Sequence, residues 1–305
     1  MTPRTNIVGM GELLWDLLPG GRQLGGAPAN VAIHARQLGA DSAVVSAVGD
    51  DPPGHELIGR LRDLGVATTA IAIHPTLPTG TVTVELAADG QPRFTIEEPV
   101  AWDEIEAGPA ASAVVATADA VIFGSLAQRA ATSRESLRRL LAAAPETALR
   151  VFDVNLRQHF HSPELIDHGL RLATVCKLND AELARLGPLL GLRGDERAQL
   201  RQLTETYQLK LAALTRGSRG SLLCSAADFS EHPGLAATVV DTVGAGDSFT
   251  ACLTLGLLHR WELDRINHCA NELAAFVCAQ PGATPPLPEP MRHWFRDHGA
   301  DSEAS

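Results

Sequence analysis

The chain has 305 residues, 45% of them hydrophobic and 20% charged, with a formal net charge of −11. That composition fits a globular chain with a sizeable core and excludes disorder over most of its length. The acidic balance argues against nucleic acid or an anionic membrane surface as partner, and no apolar run approaches the roughly 18 residues of a membrane span.

The first residues run straight into Ile7-Val8-Gly9 without a leader pattern, so a cytoplasmic protein is expected. Residues 6–9 read as a strand. Residues 29–38 read as a helix, with Pro28 near its start and Gly39 at its end. Residues 43–48 are a strand; Leu57, Ile58, Leu61 and Leu64 have helical spacing, closed by Gly65. Residues 81–86 and 93–96 alternate strictly around an Ala88-Asp89-Gly90 turn, the pattern of a hairpin. Strands follow at 120–123 and 149–152 with a helix at 133–144 between them, then strands at 211–214 and 221–223, then helices at 245–259 and 264–279. This alternation predicts a mainly parallel sheet covered by helices. The hairpin breaks the pattern and should sit outside the main sheet, either as a flap over a site or as a peripheral ribbon. Its apolar face (Val82, Val84, Leu86, Phe94, Ile96) must be covered, by the site, by a second subunit, or both. The five cysteines are odd in number, scattered and without a C-x-x-C pair, so they read as small core residues in a reducing compartment. The polar tail, 297–305, should fray.

Several signatures are absent. There is no Gly-Lys dipeptide for a Walker-type loop, and Gly9-Met10-Gly11 is followed by Leu14 where a dinucleotide fingerprint needs glycine. No zinc spacing occurs. Two segments carry chemistry. Asp241-Thr242-Val243-Gly244-Ala245-Gly246-Asp247 ends an apolar run (237–240) and opens a helix expected from Ser248. Its small residues let backbone N–H groups converge at a helix N-terminus, an anion site with a carboxylate beside it. Asp247 is then either a helix cap or the group that orients and deprotonates a hydroxyl attacking a phosphoryl group. A helix N-terminus favours the charged form, so Asp247 is expected to be a weak base in the ground state. The other segment is Gly25-Gly26-Ala27-Pro28-Ala29-Asn30, where paired glycines allow close backbone approach and Asn30 offers both donor and acceptor to a polyol. Asp16, after a short apolar stretch, is either a sugar-binding carboxylate or a turn former before Pro19-Gly20-Gly21.

Taken together and in this order, the 25–30 and 241–249 segments resemble the N- and C-terminal signatures of the ribokinase-like (PfkB) carbohydrate kinases, most closely the fructokinase branch. The resemblance runs over nearly the whole chain. It implies one α/β/α kinase domain over 1–305 with a mainly parallel sheet and a small β lid from roughly 11–23 and 78–99. It implies an ATP-dependent sugar kinase, Asp247 as catalytic base and Gly244, Ala245 and Gly246 as the anion hole. Asp16, Gly26, Asn30, Asn155 and Arg157 would face the sugar. Asn179, Thr215, Gly217, Gly220, Asn271 and Gly282 would line the nucleotide site. Glu182 would act on Mg²⁺ through water, and Asp241 with the Val243 carbonyl would form a monovalent-cation site, with potassium as the ion. Each has a plainer reading: Asn179 and Glu182 are also a common helix cap with a first-turn acid, and 215–220 is also a hairpin turn. The expected acceptor is a free sugar, fructose first, since no arginine cluster flanks Asp16 and Asn30. Ribose, a keto-deoxy sugar acid or a nucleoside is the alternative, and a silent sugar or nucleotide sensor is a reading of another class. A homodimer is expected.

Overall fold

The computed structural model describes residues 4–18, 20–86 and 92–295. The Ala88–Gly90 turn and the 297–305 tail lie outside the described residues, as do the side chains of Val84, Leu86 and Phe94.

Nine strands form the large sheet: β1 (Asn6–Met10), β4 (Asp41–Gly49), β5 (Ile71–His74), β8 (Ala120–Gly124), β9 (Leu149–Asp153), β10 (Val175–Asn179), β11 (Leu211–Thr215), β12 (Ser221–Ser225) and β13 (Phe229–His232). Their order is β13-β12-β11-β10-β9-β8-β1-β4-β5. Pairing is parallel from β5 to β11; β12 alone is reversed, pairing antiparallel with β11 and with β13. The chain therefore starts in the middle, builds β4 and β5 to one side, and returns past β1 to build the rest. Such a reversal leaves a crevice at the carboxyl ends of the strands.

The helices are α1 (Ala27–Gln37), α2 (Pro52–Asp63), α3 (Pro109–Val115), α4 (Ala131–Ala143), α5 (Pro163–Leu172), α6 (Asp180–Leu189), α7 (Glu196–Tyr207), α8 (Ala245–Leu258), α9 (Leu263–Cys278) and α10 (Glu289–Arg292). Strand residues alternate between two cores. Ile7, Ala120, Ile122, Val151, Val175 and Ala213 pack with α1, α8 and α9. Val8, Val121, Phe123, Phe152, Cys176 and Leu214 pack on the opposite side with α3 to α7. Two-sided burial explains why these strands read as continuous apolar runs. Carried forward, the same alternation puts Asp153 and Lys177 on the α8 side.

A second sheet of four strands has the order β3-β2-β6-β7, with β2 (Leu14–Leu18), β3 (Gly21–Gly25), β6 (Gly80–Leu86) and β7 (Pro92–Ile96). The hairpin thus lies outside the large sheet and pairs in parallel with β2, Val82 opposite Asp16. Val82 and Ile96 are buried with Leu14, Val100 and Trp102, so part of the hairpin's apolar face is covered within one chain. Two side chains root this sheet in the body. Asp51, which caps α2, also accepts from the Thr79 backbone N–H at 2.8 Å just ahead of β6. Arg129 forks onto both Asp103 oxygens at 2.7 and 2.8 Å and donates to the Glu97 carbonyl at 2.6 Å just after β7.

Candidate active site

The apolar run at 237–240 is not a strand or a buried segment. It is an exposed loop, with Val239 and Val240 each 61% accessible, and α8 begins at Ala245, the start of the 245–259 helix expected from the pattern and ahead of the Ser248 start read from the motif. Gly244 is the N-cap with φ 79°, and a Cβ there would run into the Ala283 backbone. Only glycine combines that left-handed turn with so close a neighbour. Ala245, Gly246 and Asp247 form the first turn, whose N–H groups lack intrahelical partners; that of Ala245 makes a long bond of 3.4 Å to the Thr242 carbonyl.

Asp247 is partly buried, and its Oδ2 accepts from Asn30 Nδ2 at 2.8 Å. Its carboxyl is pushed up to about 6, first by desolvation and then by the Asp153 charge, against the pull of Asn30, Lys177 and Arg157. Burial thus acts against the expectation that the helix N-terminus would make Asp247 a weak base. Asn30 is 4% exposed in the first turn of α1, whose N-cap is Gly26, seated on the Glu12 carbonyl. Asp16 lies mid-strand in β2 rather than in a turn, its carboxyl raised to about 6 by burial, with Arg157 opposing the shift and Asp247 and Asp241 adding to it.

Glu12 was not singled out from the sequence, although an acid between Gly11 and Leu13-Leu14 was a visible anomaly. It is 3% exposed, accepts from the Ala27 N–H at 3.2 Å through Oε1, and its Oε2 has no hydrogen-bond partner. Burial lifts its carboxyl to about 7. Asp153 and Lys177 were missed as well. Their buried ion pair (3.1 Å) lies under α8, where Thr250 Oγ1 meets Asp153 Oδ2 at 2.9 Å. His34, a fourth omission, is fully buried one turn after Asn30, with Nε2 donating to the Ala283 carbonyl at 2.9 Å.

Asn155 takes a left-handed φ of 42° after β9, and Arg157 is exposed two residues on, its charge felt by Glu12, Asp16 and Asp247. Asn179 and Glu182 form a reciprocal capping box at α6, both bonds 2.8 Å, and the other Glu182 oxygen accepts from the Leu156 N–H at 2.8 Å. Glu182 thereby ties α6 to the loop that carries Arg157. Thr215 ends β11, Gly217 and Gly220 have positive φ in the turn to β12, and Asn271 of α9 donates to Ser221 Oγ at 2.6 Å inside that corner. Asp241 accepts from the Val243 N–H at 3.0 Å and from the Gly282 N–H at 3.3 Å, and Gly282 packs against Gln23 of β3. Among the described residues no group of three or more His, Cys, Asp or Glu side chains could hold a metal ion by itself. A separate cavity of about 550 Å³, lined by Glu98, Asp103, Arg129, Arg134, His159 and Phe160 among others, includes none of the expected site residues.

The arrangement is a carboxylate with raised proton affinity beside outward-facing amides at a helix start. Residues 20–290 match the family model described as pfkB family carbohydrate kinase. The chain belongs to the PfkB family of carbohydrate kinases. An uncharacterized sugar kinase from Pyrococcus horikoshii, solved in complex with ATP, is 30% identical with a TM-score of 0.79, the match covering 92% of this chain and 95% of that one. Fructokinase from Vibrio cholerae, solved with fructose, ADP and calcium ion, is 26% identical with a TM-score of 0.77 over 96% of this chain and 99% of the other. Aminoimidazole riboside kinase of Salmonella typhimurium is 31% identical over 87% of this chain and 85% of its own. The fold is thus the ribokinase-like α/β architecture of PfkB kinases, and no helix among the described residues is long and apolar enough to cross a membrane.

Proposed function

We propose that this PfkB kinase transfers the γ-phosphate of ATP to a hydroxymethyl group of a free sugar, with fructose the preferred acceptor. The observation that carries the reading is Asp247: a carboxyl raised to about 6, anchored by Asn30, in the first turn of α8. A general base works best with a pKa near the working pH. Asn30 holds Oδ2, so Oδ1 takes the hydroxyl proton. The acceptor oxygen bonds to the γ-phosphorus as the bond from phosphorus to the β–γ bridging oxygen breaks, and ADP leaves. The amides of Ala245, Gly246 and Asp247 stabilise charge on the moving phosphoryl group.

Asp16, Gly26, Asn30, Asn155 and Arg157 hold the acceptor. The corner of Thr215, Gly217, Gly220 and Asn271, with Asn179 and the Gly282 loop, takes the nucleotide. Mg²⁺ bound with ATP neutralises phosphate charge. Both Glu182 oxygens already accept backbone N–H bonds, so Glu182 fits a contact with that ion through water rather than a direct one. Asp241 and the Val243 carbonyl would hold potassium. In this reading the four-stranded sheet is a lid on one kinase domain, and the enzyme works in the cytoplasm as a homodimer. The likeness to aminoimidazole riboside kinase supports a second reading, with a riboside as acceptor.

A coupled ADP-release assay over free sugars, ribosides and sugar phosphates tests both. The expected result is the highest kcat/KM with free fructose. Far more efficient turnover of fructose 6-phosphate or of a riboside would overturn the fructose reading.

A further inference from the structure

Lys177 is one of only two lysines in the chain, and it is buried: the side chain is 7% exposed and its Asp153 partner 3%. Replacing such a pair with apolar residues of similar size is often neutral or stabilising, so stability alone does not account for it. Its position does suggest a use. Nζ lies 3.1 and 3.2 Å from the two Asp153 oxygens. A Cβ on Gly246 would sit 2.8 Å from Nζ, so the ammonium abuts the backbone of the α8 first turn. Thr250 Oγ1 stands between Asp153 Oδ2 and the Gly246 carbonyl, 2.9 Å from each. One carboxylate, one ammonium and one hydroxyl therefore brace the turn that carries Asp247.

We propose that Asp153 and Lys177 form a positioning pair that braces the first turn of α8 and tunes Asp247 from behind. The inference deepens the kinase reading above and rests on it for its consequence in turnover. Asp153 places negative charge behind Asp247 and raises its affinity for a proton. Lys177 offsets part of that and fills the space against Gly246. Burial alone would discharge Lys177, but Asp153, Glu182 and Asp247 together keep it charged. The groups facing Asp247 are Asn30 from α1, Asp153 from β9, Lys177 from β10, Arg157 from the loop after β9, and Glu12 and Asp16 from the segment after β1. Of the charges acting on Asp247, that of Asp153 has the largest effect.

The test is a ¹³C-carboxyl NMR titration of Asp247 in the protein without substrates, for the parent, Asp153→Asn and Asp153→Asn/Lys177→Met. Asp153→Asn should move the midpoint down by about one pH unit, the low end of what a neighbouring charge does. The double variant should fall between the two, because the opposing charge is also gone. The acid limb of kcat/KM should follow in the same order. A purely structural role would lower the melting temperature and leave the midpoint in place. An unchanged midpoint in Asp153→Asn, or a double variant equal to the single one, would overturn the proposal. Should Asp153→Asn not fold, the charge-free double variant decides, since its midpoint must still lie below the parent's. If the midpoints move as expected but no sugar is phosphorylated, the kinase reading fails and the pair stands.

Discussion

Asn30 and Asp247 are separated by 217 positions in the chain and by 2.8 Å in the fold, Nδ2 donating to Oδ2. The bond joins the first turn of α1 to the first turn of α8. It fixes the rotamer of the carboxylate and stabilises its charged form, so removing either partner should have a distinct signature.

Asp247→Asn keeps size and polarity but cannot take a proton. Turnover should fall by about 10²-fold or more, the usual range for general base catalysis. Calorimetry should find sugar and ATP binding little changed, because Asp16, Asn30 and the nucleotide corner remain. Near-normal turnover would rule out Asp247 as the base.

The pH profile carries the same assignment. With Asp247 at about 6, kcat/KM should rise through pH 6 and level off above it. Asn30→Leu removes a bond that favours the charged carboxylate, so its acid limb should shift to higher pH. A shift downward would contradict the hydrogen bond's role.

Glu12 makes a prediction about stability. Its carboxyl is raised from 4.5 to about 7, so the folded state holds a proton that the unfolded chain releases. Stability from this group is therefore present below about pH 4.5 and lost as pH rises through 7. Glu12→Gln keeps an acceptor for the Ala27 N–H and carries no charge. Thermal melts should show the variant more stable than the parent at pH 8, on the order of 2–3 kcal/mol, with the difference vanishing near pH 4. Equal melting temperatures at both pH values would contradict a proton held by buried Glu12.

Asp51→Ala removes the α2 cap together with the bond to Thr79 that roots the small sheet. The cap alone is worth roughly 0.5–2 kcal/mol. Loosening the sheet that bears Asp16 should raise KM for the sugar several-fold while KM for ATP stays near the parent value. Steady-state kinetics with each substrate varied in turn would separate the two.

Much of the large sheet was legible because its strands are apolar on both faces: β1, β4, β8, β9 and β11 stand out as short runs between turn residues. The run before α8 was visible only as apolar, and Val239 and Val240 are exposed in a loop, a placement that local pattern does not give. Gly244 and Asp247 stood out as small residues opening a helix with an acid in its first turn, a pattern that alone leaves helix cap and anion site both open. Asp153 and Lys177 were not, although the period-two alternation of β9 and β10 already turned them inward. Recognising them needed the helix lying above, and that contact is set only by tertiary packing. The proton affinity of Asp247 was hidden for the same reason: a helix N-terminus is visible in sequence, whereas exclusion of water is not.

Helix α1 holds two anchors one turn apart, Asn30 on Asp247 and His34 on the Ala283 carbonyl that backs Gly244. The His34 ring, lowered to about 4 by burial, is neutral across the ordinary pH range, so its anchor does not titrate away. The first anchor ties α1 directly to α8, and the second ties it to the loop after α9 on which Gly244, the α8 N-cap, is seated. In the function proposed above, shape change around a substrate would fall to the four-stranded sheet, tied to the body by the Asp51–Thr79 and Arg129–Glu97 bonds and by buried Trp15, Val82 and Ile96. That reading divides the protein into a stiff frame and a movable plate. In hydrogen exchange, the amides of the helix pair should open only with global unfolding, while those of the plate exchange early and slow down when the acceptor sugar binds.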